Sequence, residues 1–266
     1  MSEFDTLLVE RAGGVVYATL NRPQARNAMS LAMVRELRQV LAEAAAAPDT
    51  RALVLRGAGG HFCAGGDLKD MAAARMGDAA QLQNSLVSLN AAFGELCVAY
   101  AAAPMAVVVV AEGTVMGGGF GLACVADVVI AADTAVFRLP ETSLGVVPAQ
   151  IAPFLVERLG YSEAKRLAVT GGRLDAQEAL ALRLVHSACR TEDVPQALAA
   201  VLHGILQCAP QAIAATKALI SKARYASAAS LVQEAAAVFS HAVLGAEGIE
   251  GTTAFIQKRK PSWAPA

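Results

Sequence analysis

The chain begins with two short runs of aliphatic and β-branched residues, at 7–11 and 15–20. Their length and composition are typical of β-strands. The Ala-Gly-Gly sequence at 12–14 lies between them, and glycine readily adopts the positive φ angles that tight hairpin turns need. The pattern therefore predicts an N-terminal β-hairpin, which the Asn-Arg-Pro sequence at 21–23 ends.

A helical period follows between residues 30 and 47. Apolar side chains recur every three or four positions, while arginines and glutamates occupy most of the others. Ser30 stands just before the first apolar residue, where a hydroxyl can cap the N-terminus of a helix. We expect the buried face of this helix to contain Val34, Leu37, Leu41 and Ala44.

Two continuous apolar runs, at 52–55 and 105–111, lack the alternation of a half-buried strand. Such runs are typical of strands that are buried on both faces of a parallel sheet. A glycine-rich stretch follows each of them, at 57–67 and 117–121. Shorter apolar runs predict three further strands, at 128–131, 135–139 and 184–188.

Helical patterns dominate the rest of the chain. An alanine-rich segment at 71–102 precedes the second buried strand, and another helical pattern begins at Ser162, its predicted N-cap. A further helix opens at Leu174-Asp175, and Pro210 divides the alanine-rich final third. Because strands fill the first two thirds and helices the last third, we expect an α/β core that is followed by a helical appendage.

The composition restricts the class of protein. Of the 266 residues, 55% are hydrophobic and 17% are charged, which excludes a disordered chain. The longest uncharged apolar stretch, at 97–111, is shorter than the roughly 20 residues that span a bilayer, so no membrane segment is expected. The first five residues include acids and no basic group, so a secretory signal is not predicted either.

Charge and cysteine usage add two further exclusions. The 22 basic and 23 acidic residues leave a formal net charge of -1, so there is no global basic field to attract nucleic acid. The five cysteines are widely spaced and form no CxxC pair, which indicates a reducing, cytoplasmic environment. His61 and Cys63 are close in sequence, but more ligands would be needed nearby, so we predict no metal site.

The two glycine-rich stretches are the strongest candidates for chemistry. Each follows a buried strand and opens a helix, whose first turn carries unpaired backbone N–H groups. Two such turns that meet would aim two N–H donors at one oxygen, which is an oxyanion hole suited to a thioester enolate. Either stretch taken alone is also typical of tight packing without catalysis. The glycines at 117, 119 and 121 do not form GxGxxG, so a dinucleotide-binding turn is not predicted.

Glu141 is the candidate acid or base. It follows Pro140 after the short strand predicted at 135–139, and a carboxylate beside glycine turns can transfer protons. An ordinary surface glutamate is the alternative interpretation. No GxSxG sequence is present, so a serine nucleophile elbow is not predicted.

Together these segments resemble the crotonase, or enoyl-CoA hydratase/isomerase, superfamily. The similarity begins with Leu-Asn-Arg-Pro at 20–23 and Asn-Ala-Met at 27–29, and it continues through Phe-Cys-Ala-Gly-Gly-Asp-Leu at 62–68. It is strongest at Met-Gly-Gly-Gly, residues 116–119, and it ends with Ala-Phe-Ile-Gln-Lys-Arg-Lys-Pro at 254–261. The ordered motifs extend over nearly the whole chain.

The resemblance implies an α/β fold, with a crotonase-type spiral of ββα repeats over residues 1–200. It also implies a C-terminal helical trimerisation region at 201–266, and trimers of the family commonly pair into hexamers. The substrate is then an acyl-CoA thioester, and no separate cofactor is expected because coenzyme A is part of the substrate. We accordingly expect a homotrimer or hexamer that binds neither nucleic acid nor membrane.

The functional positions of the family carry over by motif onto this sequence. The two N–H groups that hold the thioester oxygen fall on Gly66 and Gly118, and a carboxylate falls on Glu141. The Ala64 carbonyl matches the position that holds the adenine amino group, and Arg26 falls among the substrate-binding positions. The residues that border coenzyme A, or that reach its nucleotide from the tail of a neighbouring subunit, are Gly65, Gly66, Asp67, Leu68, Lys69, Phe255 and Lys258.

One position departs from the two-carboxylate hydratases of the superfamily. Their second glutamate matches Glu141, whereas their first matches Gly121, which has no side chain. A single carboxylate is also common in isomerases of the superfamily. Residues 140–154, however, resemble bacterial methylglutaconyl-CoA hydratases, which also have a non-acidic residue at the Gly121 position.

A close relative of those hydratases acts on isohexenylglutaconyl-CoA in the breakdown of acyclic terpenes. Both substrates carry a second carboxylate, and Arg138 is a nearby cation that could meet it. A surface ion pair is the alternative role for Arg138.

The sequence therefore leads to a hydratase that acts on a branched, 3-substituted glutaconyl-CoA in terpenoid or leucine catabolism. An enoyl-CoA double-bond isomerase, in which Glu141 shuttles one proton between carbons, is the first alternative. A coenzyme A-binding protein without catalysis is the second. Incorporation of solvent oxygen into the product separates hydratase from isomerase, and tolerance of the loss of Glu141 identifies the binding protein.

Overall fold

The structure is a computed structural model, and it describes residues 4–67 and 79–265. The predicted substrate-binding residues Leu68 and Lys69 lie outside this part of the chain. So does the beginning of the alanine-rich segment at 71–102.

Two sheets form the strand part of the molecule. The strands of the central sheet are, in chain order, β1 (Leu7–Ala12), β2 (Val15–Leu20), β3 (Ala52–Gly57), β4 (Ala106–Ala111), β6 (Val128–Ala132) and β9 (Ser187–Cys189). Those of the small sheet are β5 (Thr114–Met116), β7 (Val136–Arg138) and β8 (Arg173–Asp175). The central sheet has the order β1-β2-β3-β4-β6-β9, and its strands are parallel except for the first pair. The small sheet has the order β5-β7-β8.

The predicted N-terminal hairpin is confirmed. β1 and β2 pair antiparallel around Gly13 and Gly14, whose φ angles are 56° and 78°. A two-residue turn with positive φ at both central positions follows the right-handed twist of the flanking strands, and glycine adopts it at little cost.

The described chain also contains α-helices, several of which pack on the sheets. They are α1 (Leu31–Ala46), α2 (Ala79–Ala101), α3 (Gly118–Val125), α4 (Ala152–Thr170), α5 (Ala176–Ala181), α6 (Val194–Gln207), α7 (Pro210–Ala223), α8 (Ala228–Leu244) and α9 (Ala246–Ile256). The prediction for α1 is confirmed, because the Ser30 hydroxyl accepts the Met33 N–H at 3.2 Å and the expected apolar face is buried. The predicted division at Pro210 is confirmed, because α7 starts there, and the helix predicted to open at Leu174-Asp175 is confirmed as α5, whose N-cap is Asp175.

The central sheet is buried on both faces. Along β3, Leu53 and Leu55 belong to the larger core with α1 to α5, whereas Val54 between them faces a second core with α6. Alternate side chains of a strand point to opposite faces, so a strand between two cores needs an unbroken apolar run. This arrangement explains the runs at 52–55 and 105–111.

Two predicted boundaries are wrong. The helix expected to start at Ser162 belongs to α4, which begins at Ala152 and contains one non-helical residue, Gly160 (φ 74°, ψ 161°). Because of this local break, the sequence pattern shows a helix start at Ser162, although the helix has already begun ten residues earlier, at Ala152. The strand expected at 184–188 is reduced to β9, because Leu184 and Val185 are buried in the core beyond α5 without joining the sheet.

Two cations, the half-buried Lys217 and the buried Arg51, attach the C-terminal region to the core. Lys217 Nζ on α7 binds Asp127 Oδ2 at 2.5 Å and the Met105 carbonyl at 2.8 Å. Arg51 donates to the Trp263 carbonyl at 3.0 Å and to carbonyls at the end of α6. The division predicted after residue 200 falls inside α6.

No single helix among the described residues is long and apolar enough to cross a membrane. Two consecutive pairs reach the required length and composition only when counted together, Thr191–Gln207 with Pro210–Ala223 and Ala228–Leu244 with Ala246–Ile256, and they bend by 98° and 66°.

Candidate active site

The two glycine-rich stretches lie against each other. Cys63 donates its N–H to the Thr114 carbonyl and accepts the Met116 N–H, both at 2.9 Å. A β-carbon on Gly65 would lie only 3.3 Å from the Met116 carbonyl oxygen, and its φ of 93° is also a glycine conformation. Glycine at this position therefore allows the two turns to touch along their backbones.

Cys63 has a packing role in this contact. A β-carbon on Gly119 would lie 2.7 Å from the Cys63 β-carbon, so the thiol fills the space beside α3. Complete burial raises the pKa of Cys63 to about 11, which keeps the group a neutral thiol. In the described ranges, no group of three or more His, Cys, Asp or Glu side chains is placed to hold a metal ion.

The first candidate oxyanion donor is the N–H of Gly66. Met29 holds the backbone on either side of it, since Met29 donates to the Gly65 carbonyl at 2.7 Å and accepts the Asp67 N–H at 3.0 Å. Gly66 itself is exposed, and its N–H has no acceptor within residues 4–67 and 79–265. The neighbouring bonds fix its backbone while its N–H stays available to a ligand.

The second candidate donor is the N–H of Gly118, the first residue of α3. It follows Gly117, whose φ of 48° turns the chain from β5 into the helix. The first N–H groups of a helix have no partner inside the helix, and that of Gly118 has no other acceptor in the described part of the chain. Convergence of the two N–H groups on one thioester oxygen stays a prediction.

Glu141 lies beside these turns, because β5 and β7 pair in parallel with Met116 opposite Arg138. A β-carbon on Gly117 would lie 3.0 Å from Glu141 Oε1. The other oxygen, Oε2, is buried and has no hydrogen-bond partner among the described residues. Burial raises the pKa of Glu141, which is the property expected of a carboxylate that takes and returns a proton.

Apolar side chains occupy the space beside Gly121. A β-carbon there would lie 2.3 Å from Ile151 Cγ2 and 3.5 Å from Phe93 Cζ, which also packs near Gly118. The space that a second carboxylate would need is therefore occupied by apolar side chains. Gly121 therefore contributes no second carboxylate beside Glu141.

Two arginines stand opposite each other in the small sheet. Arg138 on β7 and Arg173 on β8 are a register pair, and neither side chain has an acidic or hydrogen-bonding partner in the part of the chain that the structure describes. Like charges directly across two strands repel each other. An anion near Arg138 would relieve this repulsion.

The remaining predicted residues differ in their surroundings. The Asp67 carboxylate binds Arg22 Nη2 at 2.8 Å. Asp67 therefore makes a structural contact beside the first turn. Arg26 is exposed, and its carbonyl accepts the Ala64 N–H at 3.0 Å. Phe255 and Lys258 belong instead to the end of α9 and the tail.

Sequence reasoning missed several residues that shape the site. Asn27 is completely buried, with φ 57°, and its amide donates to the carbonyls of Ala58 and His61 at 2.9 and 2.6 Å. It thereby holds the loop before Gly65 in place. Asparagine tolerates this left-handed conformation, but the sequence alone does not show that the chain needs it here. The local sequence also gave no indication that three other residues lie near the site, namely Ile151, Phe93 and Arg173.

Comparison with known proteins identifies the family of the chain. The Enoyl-CoA hydratase/isomerase family model matches residues 10–265. The human mitochondrial enoyl-CoA hydratase domain-containing protein 2 is 33% identical over 259 residues, which are 94% of this chain and 85% of that protein.

Solved structures agree equally well. Pseudomonas aeruginosa AtuE is 55% identical with a TM-score of 0.94, over 98% of this chain and 100% of that one. An enoyl-CoA hydratase/isomerase from Marinobacter aquaeolei is 49% identical with the same TM-score of 0.94 and the same coverage. The chain therefore belongs to the enoyl-CoA hydratase/isomerase family, has the crotonase fold, and is an enzyme of the enoyl-CoA hydratase type.

Proposed function

We propose that the protein adds water across the double bond of a branched enoyl-CoA, with the N–H groups of Gly66 and Gly118 holding the thioester oxygen. The observation that carries the proposal is the buried, unpartnered Oε2 of Glu141 beside the two glycine turns. An isolated buried carboxylate oxygen is costly to the fold. A substrate or water that donates a hydrogen bond to Oε2 would offset this cost and would be in position to exchange a proton with Glu141.

The proposed reaction uses one carboxylate for both proton transfers. The two N–H groups polarise the thioester carbonyl, which makes the β-carbon electrophilic. Water attacks that carbon while Glu141 takes one of its protons, and the electrons of the double bond move onto the thioester oxygen as an enolate. Glu141 then gives the proton to the α-carbon, so that one water is added and the carboxylate is restored. Coenzyme A enters as part of the substrate, and no separate cofactor takes part.

The Arg138–Arg173 pair supports a substrate with a second carboxylate, of the 3-substituted glutaconyl-CoA type. Methylglutaconyl-CoA of leucine catabolism and isohexenylglutaconyl-CoA of terpenoid catabolism are the two candidates. The Arg138→Gln variant should lose about tenfold in kcat/KM on such a diacid, on the order of the 1.4 kcal/mol of one charge-assisted contact. On crotonyl-CoA, which has no second carboxylate, it should equal the wild type.

An isomerase remains the second candidate, because Ile151 occupies the space of a second carboxylate and one acid suffices to move a proton between two carbons. A panel of enoyl-CoA esters in ¹⁸O-labelled water separates the two reactions. A hydratase yields products that are heavier by one labelled water. Isomers of unchanged mass would overturn the hydratase proposal and support the isomerase.

We also propose a homotrimer, or a hexamer of two such trimers, that acts in the cytoplasm and in which the tail of one subunit contacts coenzyme A on the next. The C-terminal helices expose large apolar side chains, the most exposed of which are Phe239, Leu244, Phe255 and Ile256, at 71 to 85%. Exposed apolar patches of this kind mark interaction surfaces. Sedimentation equilibrium of the full chain tests the proposal, and a monomer at micromolar concentration would contradict it.

A further inference from the structure

The helix that carries Gly118 has a buried end that another helix completes. α3 is eight residues long, and all of it beyond Gly118 is buried. Its last carbonyl groups have no partner inside the helix and, being buried, need donors from elsewhere. Arg158 on α4 supplies them, because its Nε and Nη2 lie 3.2 and 2.9 Å from the Cys124 carbonyl oxygen and Nη2 also binds the Ala126 carbonyl.

The guanidinium of Arg158 is committed to these carbonyls. Its Nη1 also lies 3.4 Å from His186 Nε2. His186 Nδ1 accepts the Val129 N–H at 2.9 Å, so a neutral ring carries its proton on Nε2 and cannot accept from the arginine. Burial lowers the pKa of Arg158, yet a guanidinium stays charged in proteins. Arg158 is thus a permanent, half-buried cation at the C-terminal end of α3.

The same two helices also meet where α4 begins, beside the middle of α3. α4 begins directly after Ile151, whose Cγ2 packs where a β-carbon of Gly121 would be. The segment before Ile151 starts at Glu141, whose Oε1 lies near Gly117. Helix α3 therefore carries the candidate oxyanion donor at its first residue, and α4 is joined to the segment with the candidate base.

We propose that Arg158 is a positioning residue, which locks α3 against α4 and thereby sets the Gly118 N–H relative to the Glu141 carboxylate. The inference rests on the proposed function of Gly118 and Glu141. A cation at the C-terminal end also favours the helix dipole, whose positive end lies at Gly118. Both effects act on the developing enolate rather than on coenzyme A, so Arg158 affects turnover more than binding.

Arg158→Met removes the charge and the hydrogen bonds while retaining an unbranched side chain. A small misplacement of catalytic groups can cost about a hundredfold, so we expect kcat to fall by about 10- to 100-fold with KM changed less than about threefold. The control is Tyr100→Phe, which removes another buried bond to a helix carbonyl, Tyr100 Oη to Leu37 O at 2.9 Å. This control should lose some thermal stability and keep kcat.

A second readout reports the oxyanion hole directly. Bound butyryl-CoA, a saturated thioester without a double bond to hydrate, should show a lowered carbonyl stretching frequency in difference infrared spectra of the wild type. Arg158→Met should reduce that shift, whereas Tyr100→Phe should not. Should Arg158→Met fail to fold, Arg158→Lys provides the test, with a smaller reduction because the ammonium keeps the charge without the planar fork.

The outcomes separate the two proposals. A folded Arg158→Met or Arg158→Lys enzyme with wild-type kcat and the full carbonyl shift would overturn the role of Arg158 alone. A wild-type enzyme without any carbonyl shift would contradict the oxyanion hole, and this inference with it. Reduced kcat together with a reduced shift and unchanged affinity for free coenzyme A is the result that supports a positioning residue.

Discussion

At the scale of single residues, the account depends on the environment of Glu141. Its carboxylate is partly withdrawn from water and its Oε2 has no partner among the described residues, so burial raises its pKa. A raised pKa brings the proton affinity of the group closer to that of the water and carbon acids it must exchange with. The neighbouring turns contribute backbone rather than charge, which leaves desolvation as the main cause.

This environment predicts the acidic limb of the pH–rate profile. The carboxylate form of Glu141 must be present to accept a proton from water, so kcat/KM should fall as the pH drops through its pKa. Because burial raises that pKa, the fall should begin above the roughly 4.3 of an exposed glutamate. The wild-type profile, measured over a pH range where circular dichroism shows a folded chain, checks this. The residual activity of Glu141→Gln should lack the limb, and an identical limb in the variant would assign it to another group.

Arg138 shows how a residue-scale prediction can be improved by the structure. The sequence identifies it as a cation near Glu141, but only the strand register places Arg173 opposite it. Neither arginine has an acidic partner within residues 4–67 and 79–265, so the surface ion pair is not present in the described part of the chain.

At the scale of elements, the sequence predicted those features that depend on contacts between residues close together in the chain. The hairpin at Gly13-Gly14 and the N-cap at Ser30 were predictable because the relevant contacts lie within a few residues. The apolar strands β3 and β4 were predictable for another reason, since burial on both faces requires an unbroken apolar run. The boundaries at Ser162 and Leu184 were predicted wrongly. The break at Gly160 gives the sequence the pattern of a new helix start, and the buried Leu184 gives it the apolar pattern of a strand.

The candidate site divides in the same way. The glycine turns and Glu141 could be identified from motifs in the sequence. The contacts of Ile151 with Gly121, and of Arg158 with the end of α3, join residues about 30 positions apart and depend on how α3 and α4 pack. No periodicity or spacing reports such packing, so the reason for a glycine at 121 emerges only from the fold.

The contact between α3 and α4 predicts a coupling between Gly121 and Ile151. A β-carbon at Gly121 would overlap Ile151 Cγ2. Gly121→Ala should therefore lose about 1–2 kcal/mol of stability, since overpacking exceeds the gain in helix propensity. In an Ile151→Ala background the same change should cost close to nothing. Urea unfolding of the four proteins of this double-mutant cycle measures the coupling.

The matched control is Gly204, in the interior of α6, where a β-carbon would have no neighbour within 4 Å. Gly204→Ala should stabilise the protein by about 0.5–1 kcal/mol, as expected for an open helix position. Equal effects of alanine at 121 and 204 would show that the Ile151 contact does not determine the choice of glycine.

At the scale of the whole molecule, the C-terminal region combines attachment to its own core with exposed apolar surface. Arg51, Lys217 and Trp263 bind carbonyls or carboxylates of other elements, which fixes the tail. Phe255, by contrast, is 85% exposed. A rigid element with an exposed apolar face is suited to packing against a second copy of the chain.

The tail predicts a salt-dependent contribution of Lys258 to ligand binding. At low ionic strength, Lys258→Ala should weaken binding of free coenzyme A about fivefold, on the order of 1 kcal/mol for an exposed charge contact. The difference should shrink as salt is raised, because screening acts on exposed charges. Isothermal titration measures both. Lys165→Ala, which removes an ammonium 5.5 Å from the Tyr161 ring, is the control for loss of positive charge. If Lys258→Ala and the wild type bound free coenzyme A equally well at low salt, the prediction would be wrong and the tail would be only a solvated surface.

The central claim is that Glu141 transfers the proton in an oxyanion hole formed by the two glycine turns. Its most direct test is turnover of Glu141→Gln on the enoyl-CoA that the wild type hydrates fastest, together with the affinity for free coenzyme A. The amide keeps the shape but cannot exchange the proton, so kcat should fall by about 10²- to 10⁴-fold while the affinity stays within about twofold. Near-wild-type turnover of the variant would contradict the account and remove Glu141 from the mechanism.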